Sequence, residues 1–246
     1  MDFQKYINRL AIDGEQYPTI DFLSELQRNH MENIPFENLD VTRKVEILLD
    51  TRRIYEKIIG MHRGGYCYEL NGLFQLLLTH LGFRSYLIAC TVNKPNGWAK
   101  PNTHAAIIVQ LDQPFLIDVG FGDSVRQPLP LTREERTDVS GTYRVIKEEQ
   151  DFYYLQRLEE LGWKTLYRFS DSPKQLTDFT EGCLYNQHSP ESSFTHGDIV
   201  TIATKTGRIT LNDLTVTETK NNQKTKWNLT EAEKQKFLKE IFEITI

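Results

Sequence analysis

A helix that is apolar on nearly every side, entered through two glycines and carrying a thiol in its first turn, constrains this chain more than any other segment. In RGGYCYELNGLF and the residues after it, Cys67, Leu70, Phe74, Leu77 and Leu81 form one stripe, and Leu73, Leu76 and Leu78 cover most of the remaining circumference. Such a helix has to be enclosed by other layers. With 246 residues, and about 150 residues per domain as a guide, the chain can build either one large core or two or three small lobes sharing one fold.

The spacing predicts helices over residues 1–84. Phe3, Tyr6 and Leu10 recur at three and four residues, Thr19 caps a helix bearing Phe22, Leu23 and Leu26, and Asp50 caps one bearing Ile54, Ile58 and Ile59. Gly60, Gly64 and Gly65 end that helix; the thiol-bearing helix starts near Tyr66 and stops at Gly82. Over 85–170 the pattern changes to short strands rich in branched and aromatic residues, SYLIACT, HAAIIVQL, PFLIDVG, TYRVI, FYYLQRL and WKTLYRF, with acidic turns near 148–151 and 159–162. An antiparallel meander or small barrel follows. Over 171–246, Pro173 is expected to open a short helix leading to the loop QHSPESSF. Two strand pairs then turn after DIVTIAT and at Asn221 and Asn222, and Thr230 with Glu233 makes a capping box for a helix through Phe237 and Ile241. The fold class expected is α+β.

Cys67 is the leading candidate for chemistry. Unpaired N–H groups and the positive end of the helix dipole stabilise a thiolate in a first turn; the alternative is a small apolar residue continuing the stripe. A thiolate used for acyl transfer needs a histidine to hold the ion pair and a third group to orient it. His104 opens the strand HAAIIVQL, where a polar side chain reaches a cleft from a rigid element, or else makes an ordinary bond at a sheet edge. His30, His62 and His80 are expected to face solvent, and His188 and His196 lie in or beside a loop. Asp118, after three apolar strand residues, is either the strand's first exposed residue or a buried acid with a partner.

Side chains alternate along a strand, which makes the pairing of His104 with Asp118 a question of loop length. A two-residue turn at Asp112 and Gln113 pairs residues whose numbers sum to 225 and sets the two on opposite faces. An odd loop over Leu111 to Gln113 gives 224 and sets them on the same face. The triad therefore requires an odd loop or a bulge. The glycines of DVGFG let a ligand approach the backbone or form a plain turn, and no phosphate-loop or metal-ligand spacing appears. Cys90 and Cys183 read as core. Glu69 reads as a structural ion-pair or hydrogen-bond partner, and Glu37 in NIPFENL as a partner for Arg63.

Charge and composition exclude other classes. The 29 basic and 34 acidic side chains give a net charge of −5 with no basic cluster, which argues against nucleic acid or an anionic membrane as main partner. No apolar run approaches a membrane span or a signal peptide, and three cysteines are too few to staple the chain. Free thiols in the cytoplasm are expected.

RGGYCYELNGLF, THAAIIV and LIDVGFG, in this order and spacing, together with IPFENL and NQHSPESSF, resemble the arylamine N-acetyltransferases. The resemblance implies a cysteine-proteinase-like, three-lobed fold: a helical bundle (1–84) with the nucleophile, an antiparallel β-barrel (85–170) with histidine and aspartate, and an α/β lid (171–246), shorter than in many members. It implies Cys67 as acetyl-accepting nucleophile, His104 as base and Asp118 as orienting carboxylate. Thr103, Gly120, Phe121 and Gly122 would contact coenzyme A; Phe36, Phe121 and Phe194 would wall the arylamine; Arg63 and Glu37 would be a structural pair. Acetyl-coenzyme A would be a co-substrate with no permanently bound cofactor or metal, the acceptor a small aromatic amine or hydrazine, and the protein a monomer or homodimer. Rival readings are an amide synthase of the same fold, a Cys-His-Asp peptidase or transglutaminase, and a non-catalytic binding protein.

Overall fold

The computed structural model describes residues 1–14, 16–149, 151–221 and 223–246. Its helices are α1 (Phe3–Arg9), α2 (Ile20–Asn33), α3 (Leu39–Thr42), α4 (Thr51–Tyr55), α5 (Cys67–His80), α6 (Thr180–His188) and α7 (Glu231–Ile241). The first strands are β1 (Phe36–Glu37), β2 (Arg84–Lys94), β3 (Gly97–Trp98), β4 (His104–Gln110), β5 (Pro114–Ile117), β6 (Leu129–Pro130) and β7 (Arg136–Asp138). The remainder are β8 (Gly141–Glu149), β9 (Phe152–Glu159), β10 (Gly162–Phe169), β11 (Ile199–Thr204), β12 (Gly207–Asn212), β13 (Thr215–Lys220) and β14 (Gln223–Asn228). Of the turns expected at 148–151 and at Asn221 and Asn222, Gln150 and Asn222 lie outside the described residues. Among the described residues no helix is long and apolar enough to cross a membrane.

Helix α5 is the hub, as its composition requires. Its start is fixed by Glu69, whose Oε2 accepts from the Tyr66 N–H at 3.1 Å. Its end is a left-handed Gly82 (φ 87°), after which the Phe83 N–H returns to the Leu78 carbonyl at 2.9 Å. Between these points Leu70, Leu73, Phe74, Leu77 and Leu78 are buried, and the helix packs on β2 and β4. Strand β4 is covered on both faces: Ala105, Ile107 and Val109 join the α5 core, while Ala106 and Ile108 join the barrel interior. The caps expected at Thr19, Asp50 and Thr230 are present.

The large antiparallel sheet runs β6-β5-β4-β2-β10-β9-β8-β7, with β3 beside β2. The Arg133 N–H reaches the Val145 carbonyl at 3.0 Å across the remaining gap, which leaves a nearly closed barrel. It is no simple meander, because β2 sits between β4 and β10. The second sheet, β1-β11-β12-β13-β14, takes its first strand from the N-terminal segment, and α7 covers one face through Leu238 and Phe242 against Val200, Leu211 and Val216. The architecture is the expected α+β one.

Two sequence expectations are corrected. The helix after Pro173 begins later, as a 3₁₀ turn at Leu176–Phe179 running into α6. The Lys174 N–H goes to the Leu87 carbonyl and the Gln175 N–H to the Asp178 side chain, so Pro173 leads into a bridge with β2 instead. His30, expected in solvent, is fully buried between Tyr6 and Phe74, ring centroids 6.0 and 4.9 Å away. Burial, with Arg9 nearby, pushes its pKa down to about 3, so it packs as a neutral aromatic ring. Its place four residues after Leu26 and seven after Leu23 continues their stripe. His62 and His80 are exposed as expected.

Leu77 is fully buried in the core that α5 builds with the helical layer and β4. Truncation of Leu77→Ala should cost about 2–5 kcal/mol in urea denaturation; a loss below about 1 kcal/mol would show that α5 is not the hub described here.

Candidate active site

The β4–β5 hairpin decides whether a histidine and a carboxylate meet. Ile107 pairs with Ile117, Ile108 with Leu116, Val109 with Phe115 and Gln110 with Pro114, so paired numbers sum to 224 and the loop is the three residues Leu111 to Gln113. The odd loop puts His104 and Asp118 on one face. His104 Nε2 lies 2.7 Å from Asp118 Oδ2, with both side chains almost fully buried.

Asp118 is saturated with donors. Its Oδ2 also accepts from the Tyr167 hydroxyl at 2.9 Å, and its Oδ1 accepts from Asn71 Nδ2 at 3.0 Å and from the Gly120 N–H at 2.9 Å. Burial alone would raise the carboxyl pKa, but His104, Asn71 and Gly120 together hold it below the usual carboxylate range. Burial likewise opposes the His104 imidazolium, yet the Asp118 carboxylate and the Cys67 thiol carry its pKa up to about 10. With Nε2 committed to Asp118, the ring nitrogen left for Cys67 is Nδ1.

Cys67 is the first residue of α5, 2% exposed, with Sγ 4.0 Å from the Thr103 carbonyl. The loop after β5 passes directly over this turn. A Cβ at Gly120 would stand 2.6 Å from Asn71 Nδ2 and 2.7 Å from Cys67 Cα, so only glycine lets carboxylate and thiol segments approach this closely. Gly122 has φ 88°, a conformation glycine tolerates without strain.

A cavity of about 320 Å³ opens beside the thiol. Cys67, His104, Thr103, Gly120, Phe121, Gly122, Phe36 and Phe194 all line it. Asp118 stands behind His104. Phe121 meets the His104 ring edge-on at 5.3 Å, and Phe36 and Phe194 face each other at 5.9 Å. Cys90 and Cys183 are buried free thiols, as expected of core positions. Arg63 pairs with Glu37 at 2.8 Å, and Glu69 is held by Lys57 at 2.9 Å.

Three contributors escaped the sequence reading. Asn71, one turn after Cys67, ties α5 to the sheet: its Nδ2 also donates to the Ala105 carbonyl at 2.7 Å and its Oδ1 accepts from the Val119 N–H at 3.0 Å. Its signal is a polar residue one turn after the thiol on a largely apolar helix. Asn186 of α6 donates to the Thr103 carbonyl at 3.1 Å. Tyr167 offered no signal, since a strand tyrosine reads as an ordinary β-former.

A family model described as N-acetyltransferase matches residues 19–246. An arylamine N-acetyltransferase of Escherichia coli (strain K12) is 36% identical over 196 residues, spanning 78% of this chain and 69% of its own. Among solved structures, a Bacillus cereus arylamine N-acetyltransferase, described as having a Cys-His-Glu catalytic triad, superposes with TM-score 0.93 at 27% identity over 100% of both chains. The Mycobacterium marinum arylamine N-acetyltransferase in complex with CoA superposes with TM-score 0.91 at 29% identity, covering 99% of this chain and 93% of that one. Here the partner of His104 is an aspartate.

The His104–Asp118 pair should appear in the pH dependence of stability. The raised imidazolium contributes fully below its ordinary value of 6.5 and its contribution is lost as pH rises through about 10. The lowered carboxylate contributes above its ordinary 3.8 and is lost as pH falls. The stability difference between wild type and Asp118→Asn in urea should be largest between about pH 4 and 6.5 and shrink toward pH 10; a difference constant with pH would contradict the ion pair.

Proposed function

The chain belongs to the arylamine N-acetyltransferase family, and on that premise we propose that it moves an acetyl group from acetyl-coenzyme A to an aromatic amine or hydrazine by way of Cys67. The observation that carries this reading is a single cavity wall holding the thiol, the Asp118-backed imidazole and three phenylalanine rings. A binding module has no need of a thiol at a helix start facing a buried imidazole–carboxylate pair.

In the first half-reaction the Cys67 thiolate, paired with protonated His104, attacks the thioester carbonyl. A carbon–sulfur bond forms to Cys67, the bond to the coenzyme A sulfur breaks, and His104 gives its proton to the departing thiolate. In the second, the acceptor nitrogen attacks the acetyl-cysteine while His104 takes its proton as general base. The bond to Cys67 breaks, and thiolate and imidazolium are restored. Asp118 keeps the imidazole in one orientation and balances its charge. Backbone N–H groups at the start of α5 are the natural donors to the developing oxyanion.

The cavity suits such substrates. An arylamine is neutral near pH 7 and enters an apolar pocket without desolvating a charge, and Phe36, Phe121 and Phe194 offer rings to stack on. Thr103, Gly120, Phe121 and Gly122 form the part of the wall assigned to the pantetheine arm, where the side-chain-free glycines leave room for a narrow chain.

Intact-protein mass spectrometry after mixing with acetyl-coenzyme A alone should find one acetyl group, mapped to Cys67, that disappears when an aniline or hydrazine is added. Cys67→Ala should take up none, and His104→Gln should acetylate at least about a hundredfold more slowly. An unmodified wild-type protein would overturn the proposal.

A further inference from the structure

The ionic cluster beneath the start of α5 is larger than the Arg63–Glu37 pair expected from the sequence. After α4 the chain makes one π-helical turn, Glu56–Gly60, which carries Lys57 into the protein. Lys57 Nζ lies 2.9 Å from Glu69 Oε1, 3.1 Å from Glu69 Oε2, 2.8 Å from Asp40 Oδ2 and 3.9 Å from Glu37 Oε1. Arg63 bridges Glu37 and Asp40, each at 2.8 Å. The Glu37 and Glu69 carboxylates are almost fully buried, at 0% and 2% exposure, and Lys57 and Arg63 are each 12% exposed. Two cations thus face three carboxylates.

Glu69 connects this cluster to the thiol. Its Oε2, held by Lys57, accepts from the Tyr66 N–H and so fixes the residue immediately before Cys67. A Cβ at Gly65 would stand 2.9 Å from Glu69 Oε2, so the double-glycine turn closes down on this carboxylate. A buried carboxylate two residues from Cys67 opposes formation of a thiolate there unless a cation compensates it. Removal of Lys57 would leave Arg63 alone against three acids.

We propose that Lys57 is a positioning residue for the reaction: its ammonium holds Glu69 as the cap of α5 while cancelling the carboxylate charge that would otherwise oppose the Cys67 thiolate. This rests on the nucleophile reading of Cys67 given above. Other ionisable groups around Cys67 are Tyr66 and Tyr68 of its own turn, Cys90 from β2, Cys183 from α6 and His104 from β4. The tyrosines and the two other thiols are kept neutral by burial; the charged groups on the cavity side are His104 with Asp118 behind it, and Lys94 and Asp123 of the cavity wall, with the Lys57 cluster on the other side. Burial raises the Glu69 carboxyl pKa and Lys57 is the chief opposing influence.

The test is the pH dependence of Cys67 alkylation by iodoacetamide, followed by peptide mapping, with steady-state kinetics and a thermal melt on each variant. Lys57→Met should move the alkylation midpoint up by about one pH unit and slow acetylation about tenfold at neutral pH. The KM for acetyl-coenzyme A should stay within about twofold of wild type. Lys57→Arg should restore the midpoint. So should the double variant Lys57→Met with Glu69→Gln, whose amide oxygen still accepts from the Tyr66 N–H and carries no charge. A midpoint unchanged in Lys57→Met, or a shift that Glu69→Gln fails to reverse, would overturn the proposal and reduce Lys57 to a packing role. Wild-type protein that acetyl-coenzyme A leaves unmodified at Cys67 would instead defeat the underlying reading, independently of any Lys57 result.

Discussion

Asp118 accepts hydrogen bonds from three segments that are far apart in the chain, Asn71 on α5, His104 at the start of β4 and Tyr167 on β10, and from the N–H of Gly120 in its own loop. A carboxylate removed from water is costly to ionise unless its oxygens are filled. Here each oxygen has two donors. The satisfied carboxylate joins the helical layer, the barrel and the cavity loop at one point, and any of these segments that moved would leave a buried charge short of a partner. The precision of the site is therefore enforced by the desolvation cost of one group, with packing around it supplying most of the stability.

Backbone arithmetic makes this possible. With a three-residue loop at Leu111 to Gln113, the strand face that carries Ala106 and Ile108 into the barrel also carries His104 at one end. The opposite face, Ala105, Ile107 and Val109, packs on α5. One strand thus serves two cores and the His104–Asp118 pair without any irregularity in its own ladder. A slip of a single residue would expose both apolar faces to the wrong neighbours, so the register that joins His104 to Asp118 is protected by hydrophobic burial along the rest of the strand.

What could be read beforehand follows the range of the interactions involved. Helix caps at Thr19, Asp50 and Thr230 use neighbours within three residues, and the parity of the β4–β5 hairpin is local enough to pose as a test before the answer is known. Strands β1, β3, β6 and β7 have two or three residues each, too few to display a period, and β1 finds its partner in β11 near the other end of the chain. The start of the helix after Pro173 was misplaced because Lys174 bonds to β2, a contact with no trace in the local pattern. Cys67, His104 and Asp118 were legible because their residue types are unusual where they stand. Tyr167 was not, because its hydroxyl becomes meaningful only once Asp118 is opposite it.

Charge is placed around the Cys67 thiol on two sides of the helix start. A helix terminus offers backbone N–H groups that cannot be satisfied within the helix, and something must fill them. Glu69 fills the one at Tyr66 from below, which brings a negative charge under that turn; Lys57 pairs with it, and Arg63, Glu37 and Asp40 complete the largely buried cluster. On the other side His104, backed by Asp118, supplies a positive partner to the Cys67 side chain. The turn lies between two ion-pair systems, one of which fixes its backbone while the other faces its side chain. With the two systems on opposite sides of the turn, the cavity loop passes close to Cys67 at Gly120.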